Sequence, residues 1–217
     1  CDEISAFGGV IAFNSKVTEK TAKMISKVFT EVVIAPNFEL KAQDLLSKKK
    51  NIILIRYKRP KNSTKFNIKS TENYILVQER NIKVVDEKDL EFKTKEKPGK
   101  KSIKDMLFAF IVSKYVNSNA IVLAKDLRTV GIGVGQTSRV DSTKLAITKA
   151  NKINKGKNTV LASDGFFPFP DIVKICSKNN IKHIIQPGGS INDVTVIEAA
   201  NKLNISIVFT NIRHFRH

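Results

Sequence analysis

Short apolar runs alternate along the chain with segments whose apolar residues recur at helical spacing. Residues 10–13 read as an apolar strand after the glycine-rich opening SAFGG, 5–9. Thr18 can cap a helix running to about residue 29, with Ala22, Ile25, Val28 and Phe29 on one side. Residues 32–35 read as a buried strand closed by Pro36, 39–48 as a helix with Leu45 and Leu46 inward, and 52–55 as a third strand. This order predicts a sheet covered by helices. Residues 58–71 are polar and read as a connection, and 74–78 are strand-like. Residues 86–101 are the most charged and least apolar, contain Pro98 and Gly99, and read as a surface linker. Ser102 is a cap candidate for a helix through 115, where Met106, Leu107, Phe110, Ile111 and Tyr115 recur at helical spacing. Strands follow at 120–124 and 129–134, a helix at 142–153, a strand at 159–162 and a helix at 171–179. A strand at 183–185, a helix from Ser190 to about 203 and a last strand at 205–209 complete the series. The prediction is an α/β chain of two lobes, 1–85 and 102–217, joined by 86–101.

One stretch breaks the pattern. LASDGFFPFPD, 161–171, carries three phenylalanines, two prolines and two aspartates. Pro168 and Pro170 do not suit a core strand, because proline lacks the ladder donor. Three phenylalanines do not suit a solvated loop. The stretch reads as a rigid apolar wall flanked by carboxylates, able to hold a flat ring hydrogen-bonded at its edge. A buried turn packed on the core is the plain alternative.

Composition narrows the classes. The net charge of +18 allows a nucleic-acid or anionic-surface partner. The excess is almost all lysine, spread over every segment, and only seven residues are arginine. That spread argues against a nucleic-acid partner. Two cysteines, Cys1 and Cys176, make neither a disulfide framework nor a metal quartet, and a reducing cytoplasm fits. No run is long enough to span a membrane. Residue 1 is Cys rather than Met, so the chain is expected to be cut from something longer.

GIGVG, 131–135, is not a dinucleotide fingerprint, since its glycines alternate as inside a strand approached closely by another backbone or a flat ligand. QTSRVD, 136–141, sets hydroxyls, an amide and Arg139 before a helix, where anions are favoured. A structural Arg139–Asp141 pair is its alternative. Asn117, Ser118 and Asn119 lie at the mouth of a strand, as helix caps or as readers of an amide-bearing substrate. QPGGS, 186–190, exposes backbone N–H groups, with Ser190 as a helix cap, or is only a turn. RHFRH, 213–217, is basic and aromatic, where a frayed tail is the default. His183 reads as a core residue. Zinc deaminase and G-x-S-x-G hydrolase patterns are both absent.

The blocks SAFGG (5–9), VVIAP (32–36), SNAIVLAK (118–125), 131–141, 162–171, IQPGGS (185–190) and RHFRH (213–217), collinear over the whole chain, resemble the AICAR transformylase family. In that family this enzyme is the C-terminal part of a bifunctional purine biosynthesis protein whose N-terminal part is IMP cyclohydrolase. The resemblance implies transfer of a formyl group from 10-formyltetrahydrofolate to the amine of 5-aminoimidazole-4-carboxamide ribotide (AICAR). It implies two cytidine-deaminase-like α/β lobes without zinc, the first incomplete here, and a homodimer with sites at its interface. Residue by residue, it marks Gly8 and Glu31 as nucleotide contacts and Asn119 as facing the base and carboxamide. It marks Arg139 and Arg213 as substrate-binding arginines, with a phosphate role natural for Arg213. Phe166, Pro168, Phe169 and Asp171 match the wall around the folate and the reacting carboxamide, and Val140, Ile191 and Asn192 match further folate-side positions. Asn119 and Asp171 are the residues it leaves at the chemistry.

The chain departs from the family in having Gly165 for an alanine, Pro170 for an arginine, and Asp2-Glu3 where Asp-Pro is usual. Gly165 is expected to loosen the turn, and Pro170 removes a cation beside Asp171. The family's catalytic Lys-His pair lies upstream of the FGG segment, where this chain does not extend, and an upstream substrate-binding arginine is missing too. Unless His214 or His217 substitutes, the chain alone is expected to be inactive or nearly so. The alternatives are a non-catalytic nucleotide- or folate-binding module and a basic nucleic-acid binder.

Overall fold

The computed structural model describes residues 6–58, 65–153, 156 and 158–216. Cys1, Asp2, Glu3, Ser5 and His217, all used in the sequence reading, lie outside the described residues. The chain is mixed α/β and divides into two compact units, one within 2–80 and one within 81–217.

In the smaller unit β1 (Gly9–Ala12), β2 (Thr30–Ala35) and β3 (Ile53–Arg56) form a parallel sheet in that order, linked by α1 (Glu19–Ile25) and α2 (Leu40–Ser47). The Thr18 hydroxyl caps α1 by accepting the Thr21 amide at 3.2 Å. Alternate strand residues face alternate sides. Val33, Ala35, Ile11 and Leu54 therefore pack on Ala22, Ile25, Ala42 and Leu46 of the helices. On the same strands Val10, Ile53 and Ile55 are exposed. β4 (Phe66–Ser70) and β5 (Ile75–Glu79) form an antiparallel hairpin whose residues are all exposed. β4 lies in the stretch read from sequence as a connection. It escaped notice because its Phe66 and Ile68 alternate with Asn67 and Lys69 in a Lys- and Asn-rich context.

The larger unit holds a six-stranded sheet in the order β6-β11-β10-β9-β7-β8. β9 (Val160–Ser163), β10 (His183–Gln186) and β11 (Ser206–Phe209) are parallel. β7 (Ile121–Lys125) runs antiparallel to β9, β8 (Arg128–Gly133) antiparallel to β7, and β6 (Glu91–Phe92) antiparallel to β11. Residues 86–101, read from sequence as a connection, hold a 3-10 turn at Glu87–Asp89 and β6. Ile121, Leu123, Leu161, Ile184 and Ile207 pack on α4 (Arg139–Lys152), α5 (Asp171–Lys178) and α6 (Asp193–Lys202). Val122, Ala124, Ala162, Ile185 and Val208 pack on α3 (Lys100–Ser113). Both faces are thus covered, as parallel strands require.

Helix starts differ from expectation for local reasons. Ser102 lies inside α3, whose N-cap is Gly99. α4 begins at Arg139, not 142, because the Ser138 hydroxyl accepts the amides of Val140 (3.1 Å) and Asp141 (3.4 Å). α6 begins at Asp193, not Ser190, since the Asp193 carboxylate accepts the amides of Gly189 and Ser190 at 2.7 and 3.2 Å. The alternating glycines of β8 make room for a helix backbone. A Cβ on Gly131 would sit 2.0 Å from the Ala146 carbonyl oxygen, and one on Gly133 1.9 Å from that of Ser142. Of the two readings of this motif, the approaching backbone is the one found.

Candidate functional site

The antiparallel placement of β7 and β8 decides where the site lies. The start of β7 (Ile121) pairs with the end of β9 (Ser163) and the end of β8 (Gly133). The loops that leave β8, β9, β10 and β11, and the segment that enters β7, therefore gather at one edge of the sheet. That edge is the carboxyl end of the parallel strands, where open α/β sheets place ligands.

Asp164 follows β9 and is fully buried. Its Oδ2 accepts the Ser118 hydroxyl at 2.5 Å, and its Oδ1 lies 3.5 Å from Nη2 of Arg139. Its backbone carbonyl accepts the amide of His214 at 3.0 Å. The Ser118 oxygen in turn accepts the Arg216 amide at 3.1 Å, and the Arg216 carbonyl accepts the Ser118 amide at 2.9 Å. The tail is therefore built into the sheet edge rather than frayed. Arg139 lies over the Phe215 ring at 5.6 Å, and Arg213 over the Phe166 ring at 5.0 Å. Such stacking is worth about 0.5–2 kcal/mol. Burial pushes the Arg139 guanidinium below its usual pKa, Asp164 opposes that, and the Arg213 cation adds to the lowering. Arg139 remains a cation under these influences. Its Nε is buried without a hydrogen-bond partner. Asp141, the alternative partner for Arg139, pairs instead with Lys144 at 3.5 Å.

Gly165 matters for the approach of these groups. A Cβ there would stand 2.2 Å from Nη2 of Arg139 and 2.7 Å from the Phe215 ring. The glycine thus supplies room for Arg139 and Phe215 rather than only looseness in the turn. Asn119 donates its side-chain N–H groups to the carbonyls of Gln136 and Thr137, each at 3.0 Å. It ties the entry of β7 to the loop before α4 and is not a helix cap.

The phenylalanine wall divides. Phe167 is fully buried, and its amide donates to Oε1 of Gln186 at 2.8 Å. Phe166 is half-buried under Arg213, and Phe169 is 60% exposed. Asn192 donates to the Pro168 carbonyl at 2.9 Å, joining the loops after β9 and β10. Ile191 beside it is fully exposed. Val140 packs on the core from α4. Asp171 opens α5 directly after Pro170, with its Oδ1 accepting the Ile172 amide at 2.8 Å.

Gly8 and Glu31 belong to the smaller unit, where they are neighbours. A Cβ on Gly8 would lie 3.3 Å from Oε1 of Glu31. A cleft of about 170 Å³ near them is lined by Phe29, Thr30, Lys49, Lys50, Asn51 and Ile52.

Neither His214 nor His183 is placed as a base. His214 is 1% exposed, packs on the Phe110 ring at 4.6 Å, and faces Nδ2 of Asn81 through its Nδ1 at 2.8 Å. Burial, aided by Lys114, pushes its pKa down to about 4. His183 meets the Ser206 hydroxyl at 2.7 Å, and burial lowers its pKa as well. Among the described residues no cluster of three or more His, Cys, Asp or Glu side chains could hold a metal ion. No helix among them is long and apolar enough to cross a membrane. From the sequence Ser118 reads as a cap or a substrate reader and Asp164 as a carboxylate flanking the phenylalanine wall; their buried pairing is what the structure adds. The available signal was a carboxylate directly after an apolar strand, which demands partners if buried.

Residues 1–149 match the family model described as the AICARFT/IMPCHase bienzyme. The chain is 50% identical over its whole length to the bifunctional purine biosynthesis protein PurH of Thermoanaerobacter sp. (strain X514). It is 45% identical to that of Fusobacterium nucleatum and 47% to that of Caldicellulosiruptor saccharolyticus, again over its whole length. It spans 42% of the length of each of these relatives. A solved diaminohydroxyphosphoribosylaminopyrimidine deaminase/5-amino-6-(5-phosphoribosylamino)uracil reductase from Thermotoga maritima is similar over 50% of this chain and 35% of its own. At 18% identity and a TM-score of 0.33 that likeness is too loose to define the fold. With the family model covering more than half of its residues, the chain belongs to the AICARFT/IMPCHase bienzyme family.

Proposed function

We propose that the sheet-edge site of residues 81–217 takes part in transferring a formyl group from 10-formyltetrahydrofolate to AICAR, a step of purine biosynthesis. One observation carries this reading: Arg139 and Arg213 share one edge with aromatic faces, and the buried Nε of Arg139 lacks a protein partner. An acceptor oxygen of the ribotide, from phosphate or carboxamide, completes such a pair. Asn119 lies beside them, facing the aminoimidazole carboxamide. Phe166, Pro168, Phe169, Val140, Ile191 and Asn192 supply the folate side; exposed Phe169 and Ile191 offer apolar contact for a pterin, and Asn192 holds their two loops together. Gly8 and Glu31 contribute to nucleotide binding. We read the two units as zinc-free, deaminase-like lobes.

In the transfer, the AICAR amine nitrogen bonds to the formyl carbon and the bond from that carbon to N10 of the folate breaks. The proton lost by the amine is regained at N10. Asn119 and Asp171 orient the reactants, and orientation is worth roughly 7–11 kcal/mol in favourable cases. A proton acceptor must reach the amine. His214, buried and held near pKa 4, is no such acceptor. This favours a second reading for the 217 residues taken alone: a binding half that holds nucleotide and folate with little turnover. Calorimetry and a formyl-transfer assay on the 217-residue chain separate the readings. AICAR binding without turnover supports the binding half, turnover above a protein-free control makes the chain itself the enzyme, and no AICAR binding removes both. A nucleic-acid function is the remaining rival, marked by a steep salt dependence of DNA binding.

We further propose a homodimer. The exposed hairpin residues Ile68, Tyr74, Ile75 and Val77, and Val10, Ile53 and Ile55 on the open sheet face, suit burial against a second copy. The buried thiol of Cys176, free of any disulfide, fits a reducing cytoplasm.

A further inference from the structure

The sheet edge holds one carboxylate whose two oxygens do different work. Asp164 Oδ1 faces the Arg139 guanidinium, and Oδ2 accepts the Ser118 hydroxyl. With its proton committed to Asp164, the Ser118 oxygen is left as acceptor for the Arg216 amide. One buried group therefore reaches three chain segments: the start of α4, the entry to β7 and the tail that carries Arg213.

We propose that Asp164 is the positioning residue of this site, fixing Arg139 directly and the Arg213-bearing tail through Ser118, so that both cations meet acceptor oxygens of one ligand. This rests on the reading of the site given under the proposed function. An ionised carboxylate accepts at both oxygens, whereas an amide accepts at one and donates at the other. Asp164→Asn therefore cannot keep both present contacts, and it removes the negative charge beside Arg139. If its nitrogen faces Arg139, two donors meet. If its nitrogen faces Ser118, the Ser118 oxygen must accept both it and the Arg216 amide, and the hydroxyl proton loses its acceptor. The geometry of Arg139 also explains its orphan Nε: Asp164 holds the Nη2 end and leaves Nε for a ligand.

The test uses the intact protein with four probes: AICAR, its riboside without phosphate, ribose 5-phosphate without the base, and a non-reactive folate. Asp164→Asn is expected to weaken AICAR about 10–100-fold, the range for a lost charge-assisted hydrogen bond. Folate affinity is expected to change less than about threefold, which general loosening of the fold would not spare. A loss carried by the riboside assigns the ligand oxygen to the carboxamide, and one carried by ribose 5-phosphate assigns it to phosphate. Ser118→Ala keeps the Arg139 contact and removes only the link to the tail. It is expected to weaken AICAR by a smaller factor, and it decides the question if Asp164→Asn does not fold. Wild-type affinity in the variant that decides, or equal losses for AICAR and folate, overturns the role of Asp164. A wild-type protein that binds none of the nucleotide probes overturns the functional reading and this inference with it.

Discussion

In the unit of residues 81–217, β7 buries Ile121 and Leu123 on α4–α6 and Val122 and Ala124 on α3. In the unit of residues 2–80, β3 buries Leu54 in part and leaves Ile53 and Ile55 exposed. Both sheets contain parallel strands of β-branched and aliphatic residues, yet only one is covered on both faces. The difference teaches that apolar strands alone do not make a self-contained lobe. The covered sheet also carries most of the assigned site residues on the loops at one edge, while the half-covered one carries Gly8 and Glu31.

The sharpest way to break this comparison is a matched pair of truncations. Leu123→Ala should cost about 2–5 kcal/mol, as buried leucines do. Ile53→Ala, on the exposed face, should stay within about 0.5 kcal/mol in the 217-residue chain. Urea unfolding measures both, and equal costs would show that the smaller sheet is covered after all.

Acid provides the next separation, because all three histidines lie beyond residue 180. The folded pKa of His214 is about 4, below the ordinary value near 6.5. The unfolded chain thus binds the proton more readily, so stability is complete above about pH 6.5 and falls as pH drops toward 4, by ~3 kcal/mol in all. The larger unit should lose stability between about pH 6.5 and 4, and His214→Phe, which keeps an aromatic ring against Phe110, should flatten that slope. Denaturation midpoints across this range, followed by a probe in each unit, read the outcome.

A smaller effect tests the glycine strand. Gly133→Ala places a methyl group on the Ser142 carbonyl. It should cost about 1–3 kcal/mol through forced displacement of α4. Gly9→Ala in the smaller unit meets nothing within 4 Å and should cost less. Melting temperatures of the two variants rank them.

Much of the architecture was legible because buried strands announce themselves. Residues 120–124 and 205–209 are apolar runs too short for helices, and they became β7 and β11. The start of α5 at Asp171 was readable from the prolines before it. β4 was not legible because its Phe66–Ile68 alternation is lost among Lys and Asn, and β6 because two residues are too few to leave a pattern. The start of α4 shifted because the Ser138 side chain caps it, and that of α6 because Asp193 holds the Gly189 and Ser190 amides in the loop before the helix. For the site, the motifs marked the loops, while the sheet order that brings the loops together was not in any one motif. The pairing of Asp164 with Ser118 escaped because the sequence shows a carboxylate but not its burial. His214 was only a possible substitute base in the sequence, and Phe110 and Asn81, which enclose it, could not be seen there.

The central claim is that Arg139 and Arg213 act on one ligand. A double-mutant cycle on AICAR affinity in the intact protein tests it most directly, using Arg139→Ala, Arg213→Ala and the pair. The account predicts that each single change weakens AICAR about 10-fold or more and that the double variant falls short of the product of the two losses. Unchanged affinity in both single variants, or losses that multiply without coupling, would contradict it.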